Sequence, residues 1–557
     1  MCRNCKDCKN SIHQREVSIK EEVEQDVINS SIDIDTNQNI ITARLPFVDK
    51  VSKLAPNKNI ALKIYYNSSR SWELIQKTKT TSSNQKPNCK RWGYVDFVEK
   101  LTADQQTMLA DSPTHNFIPW RAVWKTTSLS TPCRVVYDAS HPTSSGYSLN
   151  DLLAKGQNNL NKLQEVLIRW SIHQVGIHTD IRKMYNTIRL NCKDWCYQRY
   201  IWQNNLDPSK IPKEKVIKTL IYGIRSSGNQ AECGLRAIAN LFGDEYPEVK
   251  LIINEDVYVD DCITGEKDID AAFNRADQLE VVINRGGFNL KGVTFSGIDP
   301  SPDLTDDGVS ISVGGMKWYP KADRLSLCIS ALNFAKKQRG KKPTNASNII
   351  PTNLTRRHCA SKVAEIFDIT GMMTPIVAAM KLDLHDLSTR QLDWDDTIPT
   401  ELRPIWIKHF ETMTQLGEIQ FRRAVIPEDA ISTDIQTLDF GDASQSLVCV
   451  CIYARYTRRN GQFSSQLVFA RSRTVPNGLS LPRAELMASL INTHTGEVVK
   501  RSFGQYHKSN IKFTDSQIAL HWITNDEKPL KLWARNRVID INRFSNRNQW
   551  FYIHQHC

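Results

Sequence analysis

Apolar and polar positions change rhythm several times along this chain, and each rhythm predicts a different element. Val175-Gly176-Ile177-His178-Thr179-Asp180 alternates, which predicts a strand that ends in an acid. Val257-Tyr258-Val259 and Cys262-Ile263-Thr264 are two β-favouring runs joined by Asp260-Asp261, the pattern of a hairpin with both acids at its turn. Ile269, Phe273, Ala276, Leu279 and Ile283 then recur at helical spacing, and Gly286 follows as a C-cap would. The rhythms divide the chain into four parts. Residues 1–40 lack sustained periodicity and read as a Cys-containing tail or linker, and 41–330 is an apolar-patterned region. Residues 331–430 are largely helical after a Lys/Gly/Pro/Asn-rich loop at 336–348, and 431–557 passes from strand alternation at 447–456 to helical segments. No internal repeat is visible.

Composition narrows the class without choosing a function. With 557 residues, 40% hydrophobic and 24% charged, the chain has the profile of a soluble multidomain protein. A formal charge of +12 suits a polyanionic partner through counterion release, although many basic proteins bind no nucleic acid. The 14 cysteines are scattered, which fits a reducing compartment better than a disulfide scaffold. Cys2, Cys5, Cys8 and His13 offer zinc ligands, but their spacing departs from a zinc knuckle and Zn²⁺ is not expected there. No apolar run approaches the ~20 residues that span a bilayer, and the first residues are charged, so no membrane partner is expected.

The acids carry the chemistry. Neighbouring carboxylates on a rigid hairpin repel one another unless a divalent cation lies between them, so Asp260 and Asp261 make sense as ligands of Mg²⁺ or Mn²⁺. Asp180 on a neighbouring strand would complete a two-metal site for nucleotidyl transfer. The bland alternatives are a solvated Asp-Asp turn and a surface acid. Trp120 and Trp124, interleaved with Arg121 and Lys125, suit either stacking on template bases or a core.

At this point the chain resembles the reverse transcriptases of BEL/Pao-class long-terminal-repeat retrotransposons. The resemblance rests on Arg134-Val135-Val136-Tyr137-Asp138-Ala139-Ser140, Ser148-Leu149-Asn150-Asp151-Leu152-Leu153, the Asp180 strand, Tyr222-Gly223 with Ser226-Ser227, Tyr258 to Asp261, and Gly286-Gly287-Phe288-Asn289-Leu290-Lys291, in the family's order and spacing. It implies an α+β multidomain protein: a right-hand polymerase with fingers and palm over 41–330, a helical thumb and connection over 331–430, and an RNase H-like α/β domain over 431–557. Asp180, Asp260 and Asp261 would be polymerase metal ligands, Arg134 would hold the incoming triphosphate, and Lys291 would lie beside them. A guanidinium fork suits that anion better than a point charge does. Tyr185 would stand under the sugar and exclude a 2′-hydroxyl, and Gly223 would let the backbone approach the base pair. Many retroviral enzymes have Gln-Gly where this chain has Tyr222-Gly223, so the Gln contact does not carry over.

The resemblance continues through Thr355-Arg356-Arg357, Glu365-Ile366-Phe367-Asp368 and Leu392-Asp393-Trp394-Asp395, where Arg356, Arg357 and Lys362 could line a duplex path. Phe440-Gly441-Asp442-Ala443-Ser444, Ser480-Leu481-Pro482-Arg483-Ala484-Glu485 and Phe513-Thr514-Asp515-Ser516 look like RNase H, with Asp442, Glu485 and Asp515 as catalytic metal ligands and Glu485 following a Ser-x-Pro start that suits the first turn of a helix. The family pattern ends with a fourth acid in an Asn-Pro-Ala-Asp-like segment. This sequence stops at Cys557, so an incomplete RNase H site is expected, for which His554 and His556 are no substitutes. The implied partners are an RNA template, a DNA primer, RNA–DNA hybrid, dNTPs and other Pol or Gag regions. The implied location is the cytoplasm, compatible with virus-like particles and with access to the nucleus. The competing readings are a catalytically inactive nucleic-acid-binding remnant or domesticated fragment, against which the intact acids argue, and a structural piece of a polyprotein.

Overall fold

In the computed structural model of the chain, residues 17–78, 94–124, 133–203, 211–305, 307–334, 350–525 and 529–554 are described. The Cys2, Cys5, Cys8 and His13 set, the whole of the 336–348 loop, and the side chains of Arg134 and Trp124 lie outside them. Helices and sheets are mixed throughout in several packed units. Among the described residues no helix is long and apolar enough to cross a membrane.

The alternating run at 175–180 forms the strand Val175–Ile181, one of the two inner members of a four-stranded antiparallel sheet ordered Val257–Tyr258, Asp261–Glu266, Val175–Ile181, Leu290–Phe295. Both faces are covered. Ile177 packs with Ala272, Ala276 and Phe295 beneath the helix Ile269–Asn284, while Ile263 packs with Val166, Leu167 and Trp170 of the helix Leu163–Trp170. The helix Ile269–Asn284 buries Ala272, Ala276, Leu279, Val282 and Ile283, whereas Phe273 leans outward on Phe295 at 4.6 Å. Its left-handed closing residue is Gly287 (φ +76°) rather than Gly286, and the Phe288 N–H returns to the Ile283 carbonyl at 3.2 Å.

Part of the expected N-terminal tail is ordered structure, which corrects that reading for residues 17–40. Ser18 and Glu21 form a capping box ahead of the helix Ile19–Ser30, and a hairpin of Ile32–Asp35 with Ile40–Ala43 follows. The helix is held largely by polar contacts. The Glu24 carboxylate accepts the N–H groups of Lys155 (2.7 Å) and Gly156 (3.1 Å), and the Gln25 amide donates to Asn229 at 3.1 Å. Only Ile28 is fully buried among its apolar residues, while Val23 is 57% exposed, so no hydrophobic stripe marks it.

A second antiparallel sheet, Ile311–Val313, Met316–Tyr319, Arg324–Leu327 and Phe421–Arg422, draws the chain back after the helical region. Arg423 follows its last strand with a fully buried side chain. Its guanidinium donates to both Asp323 oxygens (2.7 and 2.8 Å) and to the carbonyls of Trp170 (2.5 Å) and Gln174 (3.0 Å), above the Trp170 ring. One side chain thus ties three segments together.

The helical region contains Arg356–Ala364, Thr374–Thr389 and Arg403–Gln415. Its cations are engaged within the protein. Lys362 is buried against Glu365 at 2.7 Å, Arg357 pairs with Asp395 at 2.8 Å, and Arg356 donates to the Leu392 carbonyl and lies over Trp394. Asp393-Trp394-Asp395 therefore anchors this helix, and a duplex-lining role for the three cations is not supported.

The C-terminal sheet is mixed, in the order Phe463–Thr474, Leu447–Thr457, Ile435–Ala443, His507–Thr514, Trp550–Tyr552, with the last two pairings parallel. Burial alternates without a break along Leu447–Thr457, as expected for a strand with one covered face. The long helix Leu481–Phe503 covers that face and also packs on Leu163–Trp170. Ile168 and Ile172 enter the C-terminal core, and Arg501 pairs with Glu165 at 2.9 Å. The helical region docks along the sheet edge, where the Ala470 N–H donates to the Thr370 carbonyl at 3.0 Å.

Removing one partner of a buried ion pair leaves the other charge uncompensated. Arg423→Ala is expected to cost about 3–5 kcal/mol, seen as a lower urea midpoint by circular dichroism. An unchanged midpoint would show that Arg423 does not bind these segments together.

Candidate active sites

The antiparallel register sets Asp180 directly opposite Asp261 on adjacent strands. Asp260 lies in the tight turn of the hairpin, preceded by Val259 at φ +59°. A β-branched residue in the left-handed region costs of order 1–3 kcal/mol. The turn is held in place because the Ile181 N–H donates to the Asp260 carbonyl at 2.8 Å. Burial, Asp260 and Asp261 raise the Asp180 carboxyl to about 6 against the opposing pull of Lys291, whose ammonium stands 3.8 Å away. His178 contacts Asp261 at 3.3 Å. The site holds more negative charge than its own cations offset, which suits a divalent ion.

Lys183 (φ +50°) turns the chain sharply after this strand into the short helix Met184–Thr187, which carries Tyr185. The Tyr185 ring packs on Tyr222 with centroids 4.3 Å apart. Gly223 adopts φ +106°, and a Cβ there would lie 2.3 Å from the Tyr137 carbonyl, so only glycine fits. Tyr137 ends the strand Cys133–Tyr137 that includes Arg134, so the backbone brings the Arg134 strand to the Gly223 turn. Trp120 belongs to the core: it is 4% exposed and its indole N–H donates to the Ile201 carbonyl at 2.7 Å. This corrects the stacking alternative for that residue.

The second site lies on the C-terminal sheet. Asp442 is near the end of Ile435–Ala443, Asp515 directly follows His507–Thr514, and Glu485 is buried in the helix Leu481–Phe503. The helix begins after Ser480 with Pro482 in its first turn, and Glu485 follows that turn, as the Ser-x-Pro start suggests. One ligand oxygen from each of Asp442, Glu485 and Asp515 lies within 4.8 Å of the others, and among the described residues no other three acids, histidines or cysteines converge so closely. Asp180, Asp260 and Asp261 are brought together by strand register without reaching that convergence.

Burial, then Asp515 and Asp442, push the Glu485 carboxyl up to about 8, opposed by a backbone N–H of Ala443. Its Oε2 is buried without a hydrogen-bond partner. An excess of negative charge with an unmet buried oxygen is what a dication would satisfy, so these residues fit Mg²⁺. Sequence reasoning missed two contacts, His178 to Asp261 and the Tyr222 ring on Tyr185. The first had a signal, since His178 and Asp180 are two apart on a strand and share a face.

A mixed five-stranded sheet that gathers three acids from two strands and a helix defines an RNase H-like unit. Residues 355–516 match the family described as the Pao retrotransposon-like RNaseH-like domain, a span that includes all three acids and the helical region. The likeness to the Pao retrotransposon-like family thus covers the helical region and the second site. No curated protein matches the sequence. Solved structures of the foamy viral protease-reverse transcriptase are similar in outline. The complex with RNA/DNA hybrid has 12% identity and a TM-score of 0.45 over 80% of this chain and 51% of that one. The dRH form with ds DNA has 12% identity and 0.47 over 79% and 65%. The complex with dsDNA has 10% identity and 0.44 over 90% and 83%. The chain thus spans about half to two thirds of the first two.

The Glu485 shift has a sign. Between its ordinary value of 4.5 and about 8 the folded state binds the extra proton, so this contribution is present below 4.5 and is lost as pH rises through 8. With metal chelated, Glu485→Gln should match the parent in stability near pH 4 and exceed it near pH 8.5 by ~1–3 kcal/mol, seen as a higher melting temperature. Mg²⁺ near pH 8 should raise the melting temperature of the parent more than that of the variant. A pH-independent difference would refute the charge crowding.

Proposed function

We propose that the chain is an RNA-directed DNA polymerase with RNase H chemistry in its C-terminal unit. The observation that carries the reading is the placement of Asp180 opposite Asp261 with Asp260 at the strained hairpin turn. In this reading the four-stranded sheet is the palm, the Arg134 strand and the Gly223 turn belong to the fingers, and the helical region is thumb and connection. Asp180, Asp260 and Asp261 hold the metal ions, Lys291 offsets part of their charge, Arg134 grips the triphosphate, and Tyr185 and Gly223 shape the nucleotide site. Bound Mg²⁺ supplies electrostatic stabilisation at the phosphoryl group and lowers the pKa of the attacking hydroxyl. The protein contributes orientation: the hairpin is fixed by backbone hydrogen bonds, so the acids need little rearrangement when the primer end arrives.

Asp442, Glu485 and Asp515 play the corresponding part for hydrolysis of RNA in a hybrid. Protonated Glu485 must release its proton to act as a ligand, which metal binding favours. The excess of positive charge supports the long-range attraction of a nucleic-acid duplex.

Asp180→Asn and Asp260→Asn are each expected to abolish primer extension by the purified chain while leaving hybrid binding intact in a mobility-shift assay. Synthesis retained by both variants would overturn the metal assignment. Asp442→Asn should remove any hybrid cleavage and spare primer extension, because its carboxylate belongs to a separate cluster. Loss of both activities would mean that the two clusters do not act independently.

A further inference from the structure

The Tyr185 ring is held on more than one side. Tyr222 packs against it at 4.3 Å with a 43° tilt, and the Tyr185 hydroxyl lies over Gly228, where an added Cβ would stand 3.3 Å from the phenol oxygen. The ring therefore occupies a slot with an aromatic wall and a floor without a side chain. Burial, Glu232 and Asp260 all raise the Tyr185 hydroxyl, so the slot holds a neutral phenol.

Tyr222 cannot easily retreat. The next residue is Gly223, whose left-handed backbone is wedged against the Tyr137 carbonyl. Asn150 brackets the same turn, donating to the Gly223 carbonyl at 2.9 Å and accepting the Arg225 N–H at 2.8 Å. Yet Tyr222 is 52% exposed. A large ring fixed by its backbone and left open on one side is a wall of a site rather than a core residue.

We infer that Tyr222 is a positioning residue that determines sugar specificity by backing Tyr185 and preventing its ring from yielding to a 2′-hydroxyl. This rests on the polymerase reading and on Tyr185 as the group beneath the sugar. A lone ring can relieve a clash by rotating off its rotamer at little cost, so a single tyrosine would discriminate weakly. A ring braced from behind must displace its neighbour as well, and the aromatic pairing opposes that movement. Tyr222 contributes through its ring face, so its hydroxyl is dispensable.

Single-nucleotide primer extension by the full chain tests this, comparing kcat/KM for a matched dNTP with that for its rNTP. Tyr222→Ala should lower the discrimination ratio about 10-fold, with the change in the KM for the ribonucleotide rather than in kcat for the deoxynucleotide. Tyr222→Phe should keep the ratio within about 2-fold of the parent, and Tyr222→Leu carries the same expectation as alanine should alanine not fold. A ratio unchanged in Tyr222→Ala while Tyr185→Ala lowers it would overturn the inference and leave the polymerase reading standing. A parent chain that adds no dNTP would remove both.

Discussion

Strand register is the constraint on which the first site depends. The pairing of Val175–Ile181 with Asp261–Glu266 brings Asp180 and Asp261 to the same place on the same face. A slip of one residue would turn each side chain to the opposite face and part the two acids. The apolar residues enforce the register, because Ile177 and Ile263 fill different cores on either side of the sheet and neither could be exchanged for an acid at tolerable cost. Packing that has nothing to do with chemistry thus fixes where the chemistry can occur. The long helix Leu481–Phe503 does the same for the second site, burying Glu485 on the element that also joins the C-terminal unit to Leu163–Trp170.

Both sites concentrate like charge beyond what their surroundings neutralise, but by different routes. Asp180 is raised only to about 6, with Lys291 and His178 pulling it down. Glu485 has a single backbone N–H in opposition and rises to about 8. The second site is therefore the more strongly charge-starved of the two. It is also the one where three carboxylates already converge.

The acids were legible in the sequence because short motifs and a period of two are local signals. The helix Ile269–Asn284 was legible for the same reason at a period of 3.6. Residues whose partners lie far along the chain were not. Arg356 and Arg357 read as candidates to line a duplex path because their partners, Leu392 and Asp395, lie 36 and 38 residues away. The helix Ile19–Ser30 was invisible because carboxylate and amide contacts to 155, 156 and 229 replace the apolar stripe that would announce it. Trp120 shows the limit of composition, since an aromatic beside a cation looks alike whether it faces a base or a core.

The contact between the helical region and the C-terminal sheet bears on where this protein can be divided. Phe463–Thr474 is 12 residues long and forms the sheet edge, and the Thr370 carbonyl and the Lys381 ammonium occupy part of its outer side. A fragment beginning near 431 would uncover that edge and offer a ready template for strand addition between molecules. A fragment beginning near 355 would carry its own cover. The span that matches the family model, 355–516, starts on the protected side of that choice, so a fragment cut there keeps the edge of its sheet partly covered.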